Sequence, residues 1–285
     1  MSTTTSTPAT GTPRIGTVGG NSALVDGLVI AWRNLKRIPR VPDQAMWGTV
    51  QPIMFVLLFA YVFGGAIPIG ANNDPAVYRE FLMAGIFTQT MAFAVASSSV
   101  GLADDMQKGL IDRFRSLPIA RSAVISGRVI GDLVFNAFIM VVMVVCALLV
   151  GWRWHNGVLN GLGAFGLLLL FAFAMLWIGA LIGLSVRSAE VAASAGLIWL
   201  FPVTFLSTAF VPMNNQPEWI KTVAEWNPFS AVVGASRELF GNPNPFTTDA
   251  FPSQHPVLLA LIYIGLIIAI FAPLAVRRYQ RASTG

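Results

Sequence analysis

Six runs of about twenty apolar residues limit what this chain can fold into. A helix needs about 20 such residues to cross a hydrocarbon layer about 30 Å thick, where its backbone must satisfy its own hydrogen bonds. Of the 285 residues, 55% are hydrophobic and only 11% are charged, whereas a soluble domain has about 25% charged residues. The sequence therefore predicts an all-α integral membrane protein.

We predict six transmembrane helices within a membrane domain of residues 41–281. The spans cover about residues 46–66, 81–102, 124–150, 159–184, 191–211 and 257–276. Residues 1–21 are rich in Ser, Thr, Gly and Pro and have no apolar core. That composition is typical of a disordered tail and not of a signal peptide.

The distribution of Lys and Arg predicts the orientation of the spans. Six spans place both termini on one side, and that side holds 14 of the 18 basic residues. The exceptions are Arg79, Arg153, Lys221 and Arg237. Because basic loops stay in the cytoplasm, both termini are predicted to be cytoplasmic in a multi-pass plasma-membrane protein. Trp152 and Trp154, which follow the third span, are then expected in an outer aromatic belt.

Residues 22–40 have the pattern of an amphipathic interface helix. Leu28, Trp32 and Leu35 fall on one helical face, and Arg33 and Arg37 point away from it. A helix of this kind lies in the membrane interface with its basic face in water. The pattern fits a juxtamembrane anchor as well as a contact with a partner.

A second cytoplasmic helix is predicted at residues 105–118, between the second and third spans. Its apolar stripe consists of Met106, Leu110, Phe114 and Leu117, and another face carries Lys108, Asp112 and Arg115. Arg113 lies in the same segment. Pro118 ends the helix. Such a helix either lies on lipid headgroups or fits a groove on a soluble partner.

Residues 213–240 are too polar to cross the membrane and too regularly patterned for a plain loop, so we predict an extracellular helical hairpin before the sixth span. Trp219 and Trp226 mark an amphipathic turn, and a second helix runs to Phe240. Asn227, Pro228 and Arg237 belong to this second part. The hairpin either packs as a plug or guides substrate at the exit.

The predicted spans contain several polar and small residues that are candidates for function or for helix packing. Gln89, Ser97, Ser98 and Ser99 are candidates for lining a translocation path. Asp132 lies one helical turn after Arg128, which predicts an intrahelical ion pair. Glycines four residues apart, such as Gly179 and Gly183, predict close helix contacts.

Several classes of protein fit the sequence poorly. The single cysteine, Cys146, lies inside the third span, and both histidines fall in outer loops, so neither a metal site nor a catalytic site is predicted. No carboxylate lies in the middle of a span, which argues against an ion-coupled carrier. The chain has no G-x-x-x-x-G-K-[ST] motif for binding ATP phosphates, and no cofactor is predicted.

Two segments carry a family resemblance. "LADDMQKGLIDRFRSLPIARSAVISGRVIGDL", residues 102–133, resembles the cytoplasmic loop of membrane subunits of ABC-2 type exporters, particularly the daunorubicin-resistance permease group. "FVPMNNQPEWIKTVAEWNPFSAVVGASRELF", residues 210–240, resembles the outer helical hairpin of the same family. The resemblance covers about residues 22–281 and says little about substrate.

The resemblance implies a coupling helix at residues 105–118 that contacts an ABC ATPase on a separate chain. It also implies two ATPase copies and a second permease chain, identical or homologous. The cargo is expected to be a hydrophobic or amphipathic molecule such as a drug, lipid or glycolipid. The alternatives are an ion-coupled secondary transporter and a membrane anchor or assembly protein that transports nothing.

Overall fold

The computed structural model describes residues 42–63, 75–108, 121–210, 217–245 and 248–282, and the regular structure within them is entirely helical. We number the helices in chain order. They are α1 (Pro42–Leu57, continued by a π-helical segment, Leu58–Phe63), α2 (Pro75–Ala92), α3 (Ala94–Gln107), α4 (Arg121–Val150), α5 (Gly157–Gly183), α6 (Ala189–Leu197), α7 (Leu200–Phe205), α8 (Glu218–Glu225), α9 (Pro228–Phe240), α10 (Phe251–Gln254) and α11 (Pro256–Ala282).

Four helical stretches of the described chain are long and apolar enough to cross a membrane. They are Ala76–Gln107, formed by α2 and α3 together, Val124–Val150, Gly157–Gly183 and Pro256–Arg281. They coincide with the predicted second, third, fourth and sixth spans. The predicted first and fifth spans overlap the shorter apolar helical stretches Gly48–Val62 and Ala189–Phe205.

The predicted fifth span is not one continuous helix. It consists of α6 and α7, and the chain leaves helical geometry after Phe205. Pro202 has no backbone N–H to donate to the carbonyl of Ile198, so the proline explains a break at the junction of the two helices. The irregular backbone that follows α7 is buried at residues 207–210, so its polar groups need partners from elsewhere in the chain.

Burial separates a central pair of spans from two peripheral ones. In the most apolar window of each span, 83% of the residues of α2–α3 and 61% of those of α5 are buried, against 33% for α4 and 17% for α11. Helix α5 contacts α2, α3, α4, α6, α9 and α11. The bundle is therefore built around α5 and α3, and α11 presents most of its apolar surface outward.

The contact between α3 and α5 is close because small residues line it. A Cβ atom at Gly183 would lie 2.5 Å from the carbonyl oxygen of Ser99, and one at Gly179 would collide with the carbonyl of Val95. The hydroxyl of Ser98 donates a hydrogen bond to the Leu176 carbonyl across the same contact, at 3.1 Å. The prediction that Gly179 and Gly183 form a close helix contact is confirmed, and their neighbour is α3 of the same chain.

Helix α4 runs the length of the bundle and defines its two ends. We call the end that contains Gln107 and Arg121 the basic end, and the end that contains Val150 and α9 the aromatic end. At the aromatic end Trp152 is fully buried, with its ring centroid 5.3 Å from that of Phe87 and 5.0 Å from that of Phe240. The expectation that Trp152 lies in an outer aromatic belt is therefore wrong, because its indole is enclosed by other aromatic rings.

Candidate functional site

The structure describes only the beginning of the predicted coupling segment. Residues 105–107 form the last turn of α3, and Lys108 is its C-cap. Met106 is half-buried against the core, whereas the exposed Lys108 ammonium pairs with Asp104 at 2.6 Å. The remaining predicted contact residues lie outside the described residues, as does the interface helix: Leu110, Asp112, Arg113, Phe114, Arg115 and Leu117, with Leu28, Trp32 and Leu35.

A charged cluster at the basic end joins the two helices that flank residues 109–120. The Arg128 guanidinium of α4 pairs with Asp132 on its own helix, with 3.3 Å from Nε to Oδ1. Its Nη1 atom also pairs with Asp105 of α3. The predicted intrahelical pair is therefore present, and Arg128 in addition bridges α3 and α4.

The four polar residues proposed for a translocation path have different surroundings. Gln89 is buried in α2, and Ser97 is exposed on α3. The hydroxyls of Ser98 and Ser99 donate to the carbonyls of Leu176 in α5 and Ala192 in α6, at 3.1 and 3.0 Å. Ser98 and Ser99 thus hold helices together, and the role of all four residues in a path stays a prediction.

At the aromatic end, the start of α9 satisfies the irregular backbone that follows α7. The Asn227 side chain caps α9 by accepting a hydrogen bond from the Phe229 N–H at 2.9 Å. Its amide group donates to the carbonyls of Val203 and Leu206 at 2.7 and 3.0 Å. The Asn227 side chain therefore forms hydrogen bonds with the backbone at the start of α9 and at the end of α7.

Arg237 connects α9 to α2 and to the segment that follows α7. Its side chain is fully buried, with Nε donating to the Phe81 carbonyl and Nη2 to the Ala209 carbonyl, both at 3.0 Å. The guanidinium carbon also lies 3.7 Å from the ring centroid of Phe81. Within the described chain no carboxylate pairs with Arg237, and its Nη1 has no hydrogen-bond partner. Carbonyl dipoles and an aromatic face thus replace a counter-ion.

The end of α9 is bound to the connection between α4 and α5. The Asn242 side chain accepts from the Trp152 indole at 3.0 Å and donates to the Arg153 carbonyl at 2.9 Å. Gly241 ends the helix in a left-handed conformation, with φ of +70°, that favours glycine. Helix α9 is consequently an internal element of the bundle, buried over most of its circumference.

Helix α8 differs from α9 because its apolar side is uncovered. Trp219, Val223 and Trp226 are 67%, 48% and 51% exposed, and Glu218 pairs with Lys221 at 2.9 Å. The Tyr263 hydroxyl of α11 donates to the Trp226 carbonyl at 2.9 Å, which ties this end of α8 to a peripheral span. Exposed tryptophans beside charged residues are typical of a helix at a membrane interface.

The sequence places Arg237 in the predicted outer hairpin and gives no indication of its burial. Sequence reasoning also missed Asp105 as the second partner of Arg128. The adjacent acidic residues Asp104 and Asp105 at the end of the second span were the available signal for that pair. No comparable signal marked Arg237, because its two acceptors are backbone carbonyls.

Comparison with known proteins assigns the family. Residues 27–240 match the profile of the ABC-2 type transporter family. The chain belongs to this family. The matched range includes residues 109–120 and the helices α8 and α9, so it contains both segments that carry the resemblance in the sequence.

Two relatives of the chain are drug-resistance permeases by name. The chain is 30% identical over 249 residues to the daunorubicin resistance ABC transporter permease protein DrrB1 of Streptomyces coeruleorubidus, covering 87% of this chain and 84% of the relative. It is 27% identical over 239 residues to the doxorubicin resistance ABC transporter permease protein DrrB of Mycobacterium tuberculosis, covering 80% of each chain. This ABC-2 protein is therefore related to membrane subunits of ABC transporters.

Proposed function

We propose that this chain is the membrane permease subunit of an ATP-driven exporter. It would form, with a second identical or homologous permease chain, the outward path for a hydrophobic or amphipathic molecule such as a drug, lipid or glycolipid. The observation that carries the proposal is the extended similarity to permeases whose names specify daunorubicin and doxorubicin resistance. Two copies of a separate ATPase would supply the energy, since the sequence has no phosphate-binding loop.

In this proposal the basic end faces the cytoplasm and the aromatic end faces outward, with six spans and both termini inside. Residues 105–118 would contact the ATPase, and residues 22–40 would lie along the inner membrane surface. Gln89 and Ser97–Ser99 would lie near the path. The excess of Lys and Arg at the basic end supports this orientation.

The test is co-purification of the tagged chain from native membranes in mild detergent. We expect a soluble ATPase in stoichiometric amount, and we expect Phe114→Asp and Leu110→Asp to lose it because a carboxylate interrupts the apolar stripe. Leu159→Asp is the matched control, since Leu159 is 83% exposed at the opposite end of the bundle. Retention of the ATPase and of wild-type export by both stripe variants would overturn the coupling assignment.

Transport itself is measured in inside-out proteoliposomes that contain the co-purified complex. We use doxorubicin and a fluorescent phospholipid as probes, because the relatives' names and the low charge of the spans point to such molecules. ATP-dependent accumulation of either probe supports the exporter. An absence of any associated ATPase, together with ATP-independent or absent movement of both probes, would favour a secondary carrier or an anchoring protein.

A further inference from the structure

The ion pair between Arg128 and Asp105 connects the two helices from which residues 109–120 emerge. Asp105 lies in the last turn of α3, and Arg128 lies two turns inside α4. The side chains of the two residues are 28% and 29% exposed, so bulk solvent screens their attraction only partly. The two ends of the connecting segment are therefore held together by a charged contact between helices.

The backbone of α3 makes room for this contact. A Cβ atom at Gly101, one turn before Asp105, would collide with the Arg128 guanidinium. Any larger residue at position 101 would displace the charged group from its place between the two carboxylates. The sequence thus provides both the charges and the space for a bridge across α3 and α4.

Helix α3 is also packed closely against α5 and α6. Its backbone meets α5 at Gly179 and Gly183, and it meets α6 at Gly196, where a Cβ atom would lie 3.0 Å from the Ser99 hydroxyl. Ser98 and Ser99 add hydrogen bonds to the backbones of those two helices. A displacement of the end of α3 would therefore move α5 and α6 with it, since close-packed interfaces transmit displacement.

We propose that Arg128 is a positioning residue that makes the ends of α3 and α4 move as one body when the ATPase displaces residues 109–120. This inference rests on the function proposed above. Without the bridge the same displacement would spread the two helix ends apart, so that α4 would no longer move together with α3, α5 and α6. ATP hydrolysis would continue, but less substrate would cross per ATP consumed.

The cluster contains its own matched control. Asp105→Asn removes the carboxylate on the neighbouring helix, whereas Asp132→Asn removes the carboxylate on the helix of Arg128 itself. Both substitutions are nearly isosteric, and each replaces one negatively charged partner of the Arg128 guanidinium by a neutral amide. If coupling depends on the bridge between the two helices, only Asp105→Asn lowers the amount of substrate transported per ATP. If the local charge alone matters, both variants lower it.

The experiment measures ATP hydrolysis and ATP-dependent probe uptake for the reconstituted complex, and the result is their ratio. We expect Asp105→Asn to lower uptake per ATP by about fivefold or more, the lower range of typical coupling between sites, without loss of bound ATPase. Asp132→Asn should keep the wild-type ratio. The exchange variant Asp105→Arg, Arg128→Asp, made with Asp132→Asn so that no like charges meet, should recover it.

Equal ratios in Asp105→Asn and wild type would overturn the proposal, as would equal losses in Asp105→Asn and Asp132→Asn. If Asp105→Asn is not recovered as folded protein, Arg128→Lys replaces it, because an ammonium lacks the fork that reaches two carboxylates. A wild-type ratio for Arg128→Lys and for Gly101→Ala would then overturn the proposal.

A measurement without ATPase or substrate separates this inference from the proposed function. Nitroxide labels at Lys108→Cys and Ile130→Cys, in a Cys146→Ser background, report the separation of the two helix ends. We expect a narrow distance distribution that broadens with Asp105→Asn and not with Asp132→Asn. An unchanged distribution in Asp105→Asn overturns the bridge, whereas a wild-type chain that binds no ATPase overturns the proposed function.

Discussion

At the scale of single residues, the buried guanidinium of Arg237 is expected to stabilise the fold. Lysine keeps the charge but cannot donate to the Phe81 and Ala209 carbonyls at once while stacking on the Phe81 ring. We expect Arg237→Lys to lower the free energy of unfolding by about 2 kcal/mol or more, because charged hydrogen bonds are lost in a buried site. Thermal unfolding of the detergent-purified protein, followed by tryptophan fluorescence, measures the change.

Arg278→Lys is the matched control, since Arg278 is exposed on α11. It should leave the unfolding midpoint where it is. Arg237→Lys with the wild-type midpoint would mean that the two carbonyl contacts contribute nothing to stability.

Replacement of Asn227 is also expected to lower the stability of the protein. Asn227→Ala removes the cap of α9 and both hydrogen bonds to the carbonyls at the end of α7, those of Val203 and Leu206. The cap and the two hydrogen bonds together are expected to contribute about 2–3 kcal/mol. Asn160→Ala serves as control, because the exposed Asn160 amide donates only to the carbonyl one turn before it. A midpoint for Asn227→Ala equal to that of Asn160→Ala would contradict the double role.

At the scale of helices, the glycines of α5 predict opposite outcomes for one substitution. Gly183→Ala places a methyl group against the backbone of α3, which cannot move aside as a flexible side chain can. Gly163→Ala on the same helix meets nothing within 4 Å. We expect a lower unfolding midpoint and a lower yield of folded protein for Gly183→Ala alone. Similar yields and midpoints for the two variants would show that α3 and α5 need no close approach.

Helix α8 is expected to lie in the membrane interface with its tryptophans toward lipid. An environment-sensitive dye attached at Val223→Cys should report an apolar surrounding in proteoliposomes, and the same dye at Thr222→Cys should report water. Both residues are exposed and adjacent in the chain, so the comparison isolates the face of the helix. The Cys146→Ser background prevents labelling elsewhere. Identical emission from the two positions would exclude an interfacial α8.

Sequence reasoning succeeded where one segment determines its own structure. The sequence predicts the helices α4, α5 and α11 because an apolar run of membrane length specifies a helix without reference to the rest of the chain. The helical character of α8 and α9 follows from local spacing in the same way. The break between α6 and α7 was missed, although Pro202 was visible.

Contacts between distant segments were beyond the sequence. The two acceptors of Arg237 lie 156 and 28 residues away and are backbone carbonyls, which every residue carries. Trp152 gave the signal of an interfacial aromatic, but its partners Phe87 and Phe240 come from other helices. Arg128 was paired with Asp132 by spacing, whereas the bridge to Asp105 depends on how α3 and α4 pack.

At the scale of the whole molecule, the burial of Arg237 sharpens the predicted orientation. Because that residue lies inside the bundle, only Arg79, Arg153 and Lys221 remain as basic residues of the predicted outer side, compared with fourteen on the predicted cytoplasmic side.

A membrane-impermeant maleimide applied to intact cells tests this orientation with Lys108→Cys and Glu218→Cys in a Cys146→Ser background. The native side chains are 63% and 89% exposed, so access depends mainly on the side of the membrane. We expect labelling at position 218 in intact cells and at position 108 only after permeabilisation. The reverse labelling would show that the bundle has the opposite orientation, with α8 and α9 in the cytoplasm. Residues 105–118 would then lie outside and could not contact the ATPase.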